Sequence, residues 1–208
     1  QIMEMWQEWR KKKRIERLAC REAVTNNDRT RWSIEISSLL EHGFPILCKS
    51  TVGFYWSYRG EYDPQPAMTA LQKRGAVLAL PEIEGKERPL CFRRWWKEAP
   101  MKIGAHNIPV TDNTERVAVN AIIVPMLGFD TKGYRLGYGG GYYDRTISGI
   151  NPRPLLIGVA FEILRLEDIY PRPHDVAMDF IVTEAGIFQV SKQGISRIST
   201  DKCALENS

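Results

Sequence analysis

Four glycines, Gly137, Gly139, Gly140 and Gly141, fall within five positions between Arg135 and Asp144. They follow a short apolar run, Ala121 to Pro125, and lead into a stretch suited to a helix, Gly141 to Ser148. Glycine has no Cβ, so backbone N–H groups at such a turn can close on a ligand. The unpaired N–H groups of the helix start, with the helix dipole, then favour an anion such as phosphate. Arg135 adds a planar fork of donors that fits phosphate oxygens. Asp144, in the first helical turn, is the kind of oxygen ligand that a phosphate-bound Mg²⁺ takes together with water. A bare glycine cluster is more often a flexible turn, with Tyr142 and Tyr143 simply packed. This one matches neither a Walker A loop nor GxGxxG in the dinucleotide setting.

Other residues carry a similar double reading. Met3 to Val24 contains no glycine or proline and suits a helix. Within it Arg10, Arg14, Arg17 and Arg21 share one helical face. That face is either a solvated charged surface or an anion site. Glu61 and Asp63 are loop acids before Pro64, or acceptors for adjacent N–H donors, of which a carboxylate can take two. Trp56 either fills core or stacks on a flat ligand. Asp179, just before an apolar run, is a cap or turn residue, or a metal ligand.

The elements that must position these residues read as one α/β domain over residues 1–195, with 196–208 a polar tail expected to fray. A second helix is expected after Asp28, a good cap, ending near Gly43. Then come β-rich runs at Thr51 to Ser57, Ala76 to Leu80, Pro89 to Trp95, Ala121 to Pro125, Leu155 to Phe161 and Phe180 to Thr183. Several are apolar without alternation, as in central strands covered on both faces. Pro66 to Arg74 and Gly141 to Ser148 fit helices between strands. The pattern is a three-layer domain with a mostly parallel sheet and two N-terminal helices.

Composition narrows the partners. Of 208 residues, 43% are hydrophobic and 26% charged, which suits a globular core. The apolar runs are too short to span a bilayer, and no apolar signal-peptide core follows the basic start. Cys20, Cys48, Cys91 and Cys203 show neither zinc nor disulfide spacing, so reduced thiols in a cytoplasm are expected. A net charge of +4 is compatible with nucleic acid, a nucleotide or a polyanionic cofactor.

The full string around the glycines decides more than its composition. Gly128-Phe129-Asp130, Gly133, Arg135-Leu136-Gly137, Gly139 and Gly141-Tyr142-Tyr143-Asp144 closely resemble the signature of the 5-formyltetrahydrofolate cyclo-ligase family. Further similarity lies in the basic first helix, in Tyr55 to Glu61, and in Pro173 to Phe180. The resemblance implies an enzyme that uses ATP and Mg²⁺ to turn 5-formyltetrahydrofolate, with or without a polyglutamate tail, into 5,10-methenyltetrahydrofolate, releasing ADP and phosphate. It implies ATP contacts at Arg10, Arg14, Arg135, Leu136, Gly137, Tyr138, Gly139, Gly140, Gly141, Tyr142 and Tyr143. Folate contacts are implied at Trp56, Glu61, Tyr142 and Tyr143, and metal contacts at Asp144 and Asp179. Arg135 and Tyr142 are the implied catalytic groups. In the mechanism so implied, the formyl oxygen attacks the γ-phosphate and N10 then attacks the activated carbon, with no protein nucleophile.

Some family members carry basic residues where this chain has Tyr138 and Gly140, and Lys11, Lys12 and Lys13 could compensate. Three other readings remain. They are a relative acting on another pterin or formamide-like substrate, a silent paralogue, and a nucleic-acid binder using the arginine face. Against the last, there is no RNP-like motif and no zinc spacing. A cytoplasmic monomer that binds neither membrane nor nucleic acid is expected.

Overall fold

In the computed structural model, which describes residues 1–208, the chain opens with α1 (Ile2–Glu22) and α2 (Asn26–Gly43). α2 begins before Asp28 because Thr25 is its cap, with Oγ1 accepting from the Asp28 N–H at 3.2 Å. Asp28 instead sits in the first turn, facing the positive end of the helix dipole. There follow β1 (Thr51–Gly53), α3 (Gln65–Lys73), β2 (Val77–Ile83), β3 (Leu90–Trp95), β4 (Met101–Ile103) and β5 (Pro109–Thr111). Next are β6 (Ala121–Pro125), β7 (Gly128–Phe129), β8 (Arg135–Leu136), α4 (Tyr142–Ser148) and β9 (Leu155–Val159). The chain closes with β10 (Phe180–Thr183), β11 (Gly186–Ser191), β12 (Gly194–Ile198) and α5 (Thr200–Glu206).

Eight strands form one sheet in the order β12-β11-β10-β9-β6-β1-β2-β3. The stretch from β10 through β9, β6 and β1 to β2 is parallel, while β3, β11 and β12 are antiparallel additions at the edges. β6 and β10 are buried at every position, which explains their unbroken apolar sequences. Their residues still alternate between faces. Ala121, Ile123, Phe180 and Val182 join Ile36 and Leu40 of α2 and Met68 and Leu71 of α3. Ile122, Val124 and Ile181 join Ile147 of α4 with Phe129 and Leu164. Two helical layers thus sandwich a mostly parallel sheet.

The tail expected to fray does not. Residues 196–208 complete β12 and form α5, capped by Ser199 Oγ accepting from the Lys202 N–H at 3.2 Å. Cys203 is fully buried, and the Asn207 carbonyl accepts from the Ile46 N–H at 2.7 Å. A capped helix needs few apolar contacts to dock, so the polar composition was a poor guide. The strand expected over Thr51 to Ser57 stops at Gly53, because Tyr58 to Glu61 turn back on themselves.

The topology fixes where a ligand can enter. From β1 the chain passes through α3 to β2 on one side, whereas from β6 it passes through α4 to β9 on the other. Open α/β sheets bind ligands outside the carboxyl ends of their strands at such a reversal. Here those ends lead into Phe54 to Tyr62, carrying Glu61, and into Met126 to Gly141, carrying the glycines.

Candidate active site

The glycine loop stands on a fixed base. Asp130 is fully buried, and its Oδ1 accepts from the N–H groups of Lys132 at 3.0 Å and Tyr134 at 3.1 Å. Its Oδ2 accepts from the Ile169 N–H at 3.1 Å, which pins the turn between β7 and β8 to the segment after β9. Leu136 is buried, and its carbonyl accepts from the Leu127 N–H at 2.9 Å. Gly141 adopts φ 68°, a left-handed conformation, and α4 starts at Tyr142. With only seven residues, α4 contributes little dipole, so arginine side chains must supply most of the positive field.

Three of them do. Arg14 Nε donates to the Gly137 carbonyl at 2.9 Å. The Arg135 guanidinium lies so close over Gly137 that a Cβ there would stand 2.5 Å from Nη1. Arg10 Nη2 donates to Asp175 Oδ2 at 2.6 Å and to the Tyr170 carbonyl at 3.1 Å. The Arg14 pKa is lowered by burial first, then by the charge of Arg10, with Asp175 opposing and Arg135 adding a further repulsion. Positive charge therefore accumulates around the loop beyond what Asp175 offsets. The buried Nε atoms of Arg10 and Arg135 have no acceptor. The Arg135 guanidinium rests 5.1 Å from the Tyr143 ring centre, a cation–π geometry that aligns the fork. Tyr142 covers Gly140, where a Cβ would stand 2.6 Å from the ring, and the Arg145 guanidinium lies 5.6 Å from that ring. Lys13 is paired with Glu16 at 3.0 Å, and Lys11 and Lys12 are exposed, so Arg10, Arg14 and Arg135 stand at the loop where those lysines do not.

Beyond Tyr138 the loop meets a buried carboxylate. Glu61 is 7% exposed; its Oε1 accepts from the Tyr58 N–H at 2.8 Å and its Oε2 from the Tyr138 hydroxyl at 3.2 Å. Burial pushes its pKa up to about 7, against the opposing charge of Arg21. Arg21, missed as a site residue from sequence, is 1% exposed and donates through Nε to the Arg59 carbonyl at 3.0 Å. Its Nη2 donates to the Tyr58 carbonyl at 3.4 Å and to the Tyr138 hydroxyl. Arg21, Tyr55, Glu61, Met126, Val159 and Phe161 line a small cavity of about 10 Å³, room for about one water. Trp56 is half-buried and packs against the larger core cluster.

The two acids expected to share a metal do not build a cluster. Asp144 Oδ1 accepts from the Val176 N–H at 3.1 Å. Asp179 sits at the amino end of β10, with Oδ1 taking Arg153 at 3.1 Å and Oδ2 the Leu156 N–H at 2.8 Å. No group of three or more His, Cys, Asp or Glu side chains could hold a metal ion. Mg²⁺ commonly takes one or two carboxylates and completes its shell with phosphate and water, and a single acid at the loop suits that mode. Asp144 fits it; Asp179, with both oxygens engaged, reads as a strap between β9 and β10. Arg10, Arg14, Arg17 and Arg21 each donate to a protein acceptor, and of the four only Arg21 is buried. No helix is long and apolar enough to cross a membrane.

Fold and site together define an α/β protein that presents an arginine-lined glycine loop and a buried carboxylate at the reversal point of its sheet. The chain belongs to the 5-formyltetrahydrofolate cyclo-ligase family, ligases that form a C–N bond, whose family model matches residues 6–184. The Escherichia coli K12 5-formyltetrahydrofolate cyclo-ligase is 27% identical over 154 residues, covering 70% of this chain and 84% of that one. The NMR structure of Aquifex aeolicus 5,10-methenyltetrahydrofolate synthetase superposes with a TM-score of 0.76 at 31% identity, over 91% of this chain and 96% of that one. A 5,10-methenyltetrahydrofolate synthetase from Mycoplasma pneumoniae, 19% identical, shares the fold with a TM-score of 0.70 over 84% of this chain and 98% of its own.

Proposed function

We propose that this chain converts 5-formyltetrahydrofolate and ATP into 5,10-methenyltetrahydrofolate, ADP and phosphate, with the phosphates at the glycine loop and the pterin against Glu61. The observation that carries this reading is the double anchorage of the loop. On one side Arg14 holds its backbone beside Arg135, and on the other Tyr138 reaches Glu61. This supports a reading in which an anion site and a carboxylate suited to paired N–H donors act together.

The formyl carbon is an amide carbon, with a poor leaving group. Attack of the formyl oxygen on the γ-phosphorus breaks the bond to ADP and leaves an O-phosphorylated iminium. N10 then adds to that carbon, loses its proton, and phosphate departs with the C–O electron pair as the ring closes. Such a sequence asks the protein for positioning and charge stabilisation. Arg10, Arg14 and Arg135 would hold the phosphates, Tyr143 would orient the Arg135 fork, and Tyr142 would stand where nucleotide and folate meet. Mg²⁺ held by Asp144 would neutralise phosphate charge.

An absorbance assay for the methenyl chromophore tests the whole reading. The signal should rise only with folate, ATP and Mg²⁺ together, and a flat trace from folded protein would refute it. The loop makes a sharper prediction. Gly139 has φ 101°, and a Cβ there would stand 3.3 Å from the Arg14 guanidinium carbon. Gly139→Ala should raise the KM for ATP by about tenfold, with strain of about 1–2 kcal/mol visible as a lower Tm. An unchanged KM for ATP would place the phosphates elsewhere.

A further inference from the structure

Of Arg10, Arg14 and Arg135, only Arg10 has a charged partner. Asp175 Oδ2 accepts from Arg10 Nη2 at 2.6 Å, and the two side chains are only 14% and 8% exposed. Water screens a pair so placed very little, and removing one member strands the other. Both Arg10 hydrogen bonds run through Nη2, to Asp175 and to the Tyr170 carbonyl, so the Nη1 hydrogens have no protein acceptor.

Asp175 is itself fixed from elsewhere. Its Oδ2 also accepts from the Arg172 N–H at 2.6 Å, and its own N–H donates to the Arg172 carbonyl at 3.0 Å. Burial by itself would raise the Asp175 pKa, but the Arg10 and Arg172 hydrogen bonds and the Arg10 charge leave it below the ordinary carboxylate value. The segment that carries Asp175 is pinned at both ends. At one end Tyr170 has φ 54°, a left-handed conformation that a bulky residue keeps only under constraint. Its ring centre lies 4.4 Å from that of Trp6 and 5.1 Å from that of Trp9, both on α1. At the other end the Val176 N–H donates to Asp144 Oδ1 at 3.1 Å. Tyr170 to Val176 thus tie α1 to the first turn of α4.

We propose that Asp175 is a positioning residue for nucleotide binding, holding the Arg10 guanidinium near Arg14 with its Nη1 hydrogens left for phosphate. This rests on the phosphate reading of the glycine loop above. Arg10 and Arg14 repel each other. Without a fixed acceptor the long Arg10 side chain would turn to water and lose its single rotamer. An acid that merely competed with phosphate would act in the opposite sense. Positioning is favoured because Asp175 engages only one terminal nitrogen of the guanidinium, and because its anchors at Arg172 and Tyr170 lie outside the glycine loop.

The test is calorimetric titration with ATP and Mg²⁺, without folate so that no turnover occurs, on wild type, Arg10→Ala, Asp175→Asn and the double variant. Asparagine keeps the shape and an oxygen for the Arg172 N–H but not the charge. Asp175→Asn should weaken ATP binding by about fivefold although every cation at the loop is still present, and Arg10→Ala by about tenfold. The double variant should bind no more weakly than Arg10→Ala alone, whereas independent sites would multiply to about fiftyfold. Asp175→Ser, whose hydroxyl can still accept from the Arg172 N–H, should show the same loss and replaces the Asn variant if that one does not fold. Unchanged affinity in folded Asp175→Asn, wild-type affinity in Arg10→Ala, or losses that multiply would overturn the inference. Tighter binding by Asp175→Asn would overturn it too, by making Asp175 a competitor of the phosphates. Wild type that takes up no ATP would instead refute the phosphate reading itself, and Asp175 would then have nothing to position.

Discussion

Arg135→Ala should lower kcat by about a hundredfold to a thousandfold and leave the protein folded, with stability changed by no more than about 1 kcal/mol. The kinetic half follows from where the guanidinium lies. It sits over Gly137 beside Arg14, with a buried Nε that no protein group accepts from. Preorganised donors aimed at a transferring phosphoryl group act mainly on the transition state, so the loss should appear in kcat more than in the KM for ATP. The stability half follows from the same geometry. Truncation strands no acceptor, forfeits a cation–π contact with Tyr143, and relieves repulsion against Arg14. These changes oppose one another. Arg135→Lys should recover only part of the rate, since an ammonium keeps the charge without the fork. A folded Arg135→Ala protein with wild-type kcat would remove Arg135 from phosphoryl transfer.

What could be read from sequence depended on how local the determinant was. β6 and β10 announced themselves because strands buried on both faces need apolar side chains at each position. The glycine loop was legible because few residues except glycine fit beside Arg14 and Arg135. Short antiparallel pieces such as β4 with β5 and β7 with β8 were missed, since strands of two or three residues carry no periodicity. α5 was missed because its anchorage is one buried cysteine and a cap. Arg21 shared the helical face of Arg10 and Arg14, yet nothing local shows that it is buried. Its burial is created by carbonyls of Tyr58 and Arg59, far along the chain, and by a tyrosine on the glycine loop. Asp179 shows the same dependence on distant partners. An acid before a strand looked available for a metal, and its observed donors, Arg153 and the Leu156 N–H, lie more than twenty residues away in sequence.

Folate binding should weaken as the pH falls below about 7, with Kd rising by up to about tenfold per pH unit, and Glu61→Gln should abolish that dependence. Burial is the leading cause of the raised Glu61 pKa, and Arg21 only partly counters it. The stability consequence has the opposite sign. Between the unfolded value of about 4.3 and the folded value near 7, native Glu61 keeps a proton that the unfolded chain has released. Its contribution therefore favours the native state below that window and declines as the pH rises through it. Binding and folding would thus pull apart: on the proposed reading ionised Glu61 accepts the two heterocycle N–H groups, and the same ionisation costs stability. A buried acid kept at that cost is expected of a recognition site more than of a structural strap such as Asp179. Glu61→Gln, which can offer only one oxygen, should bind folate about tenfold to a hundredfold more weakly at pH about 8. Its Tm should also lose the slope that wild type shows between about pH 5 and 7. Should Glu61→Gln keep the wild-type pH profile for folate, the titrating group would be another residue and Glu61 would have no place in pterin recognition.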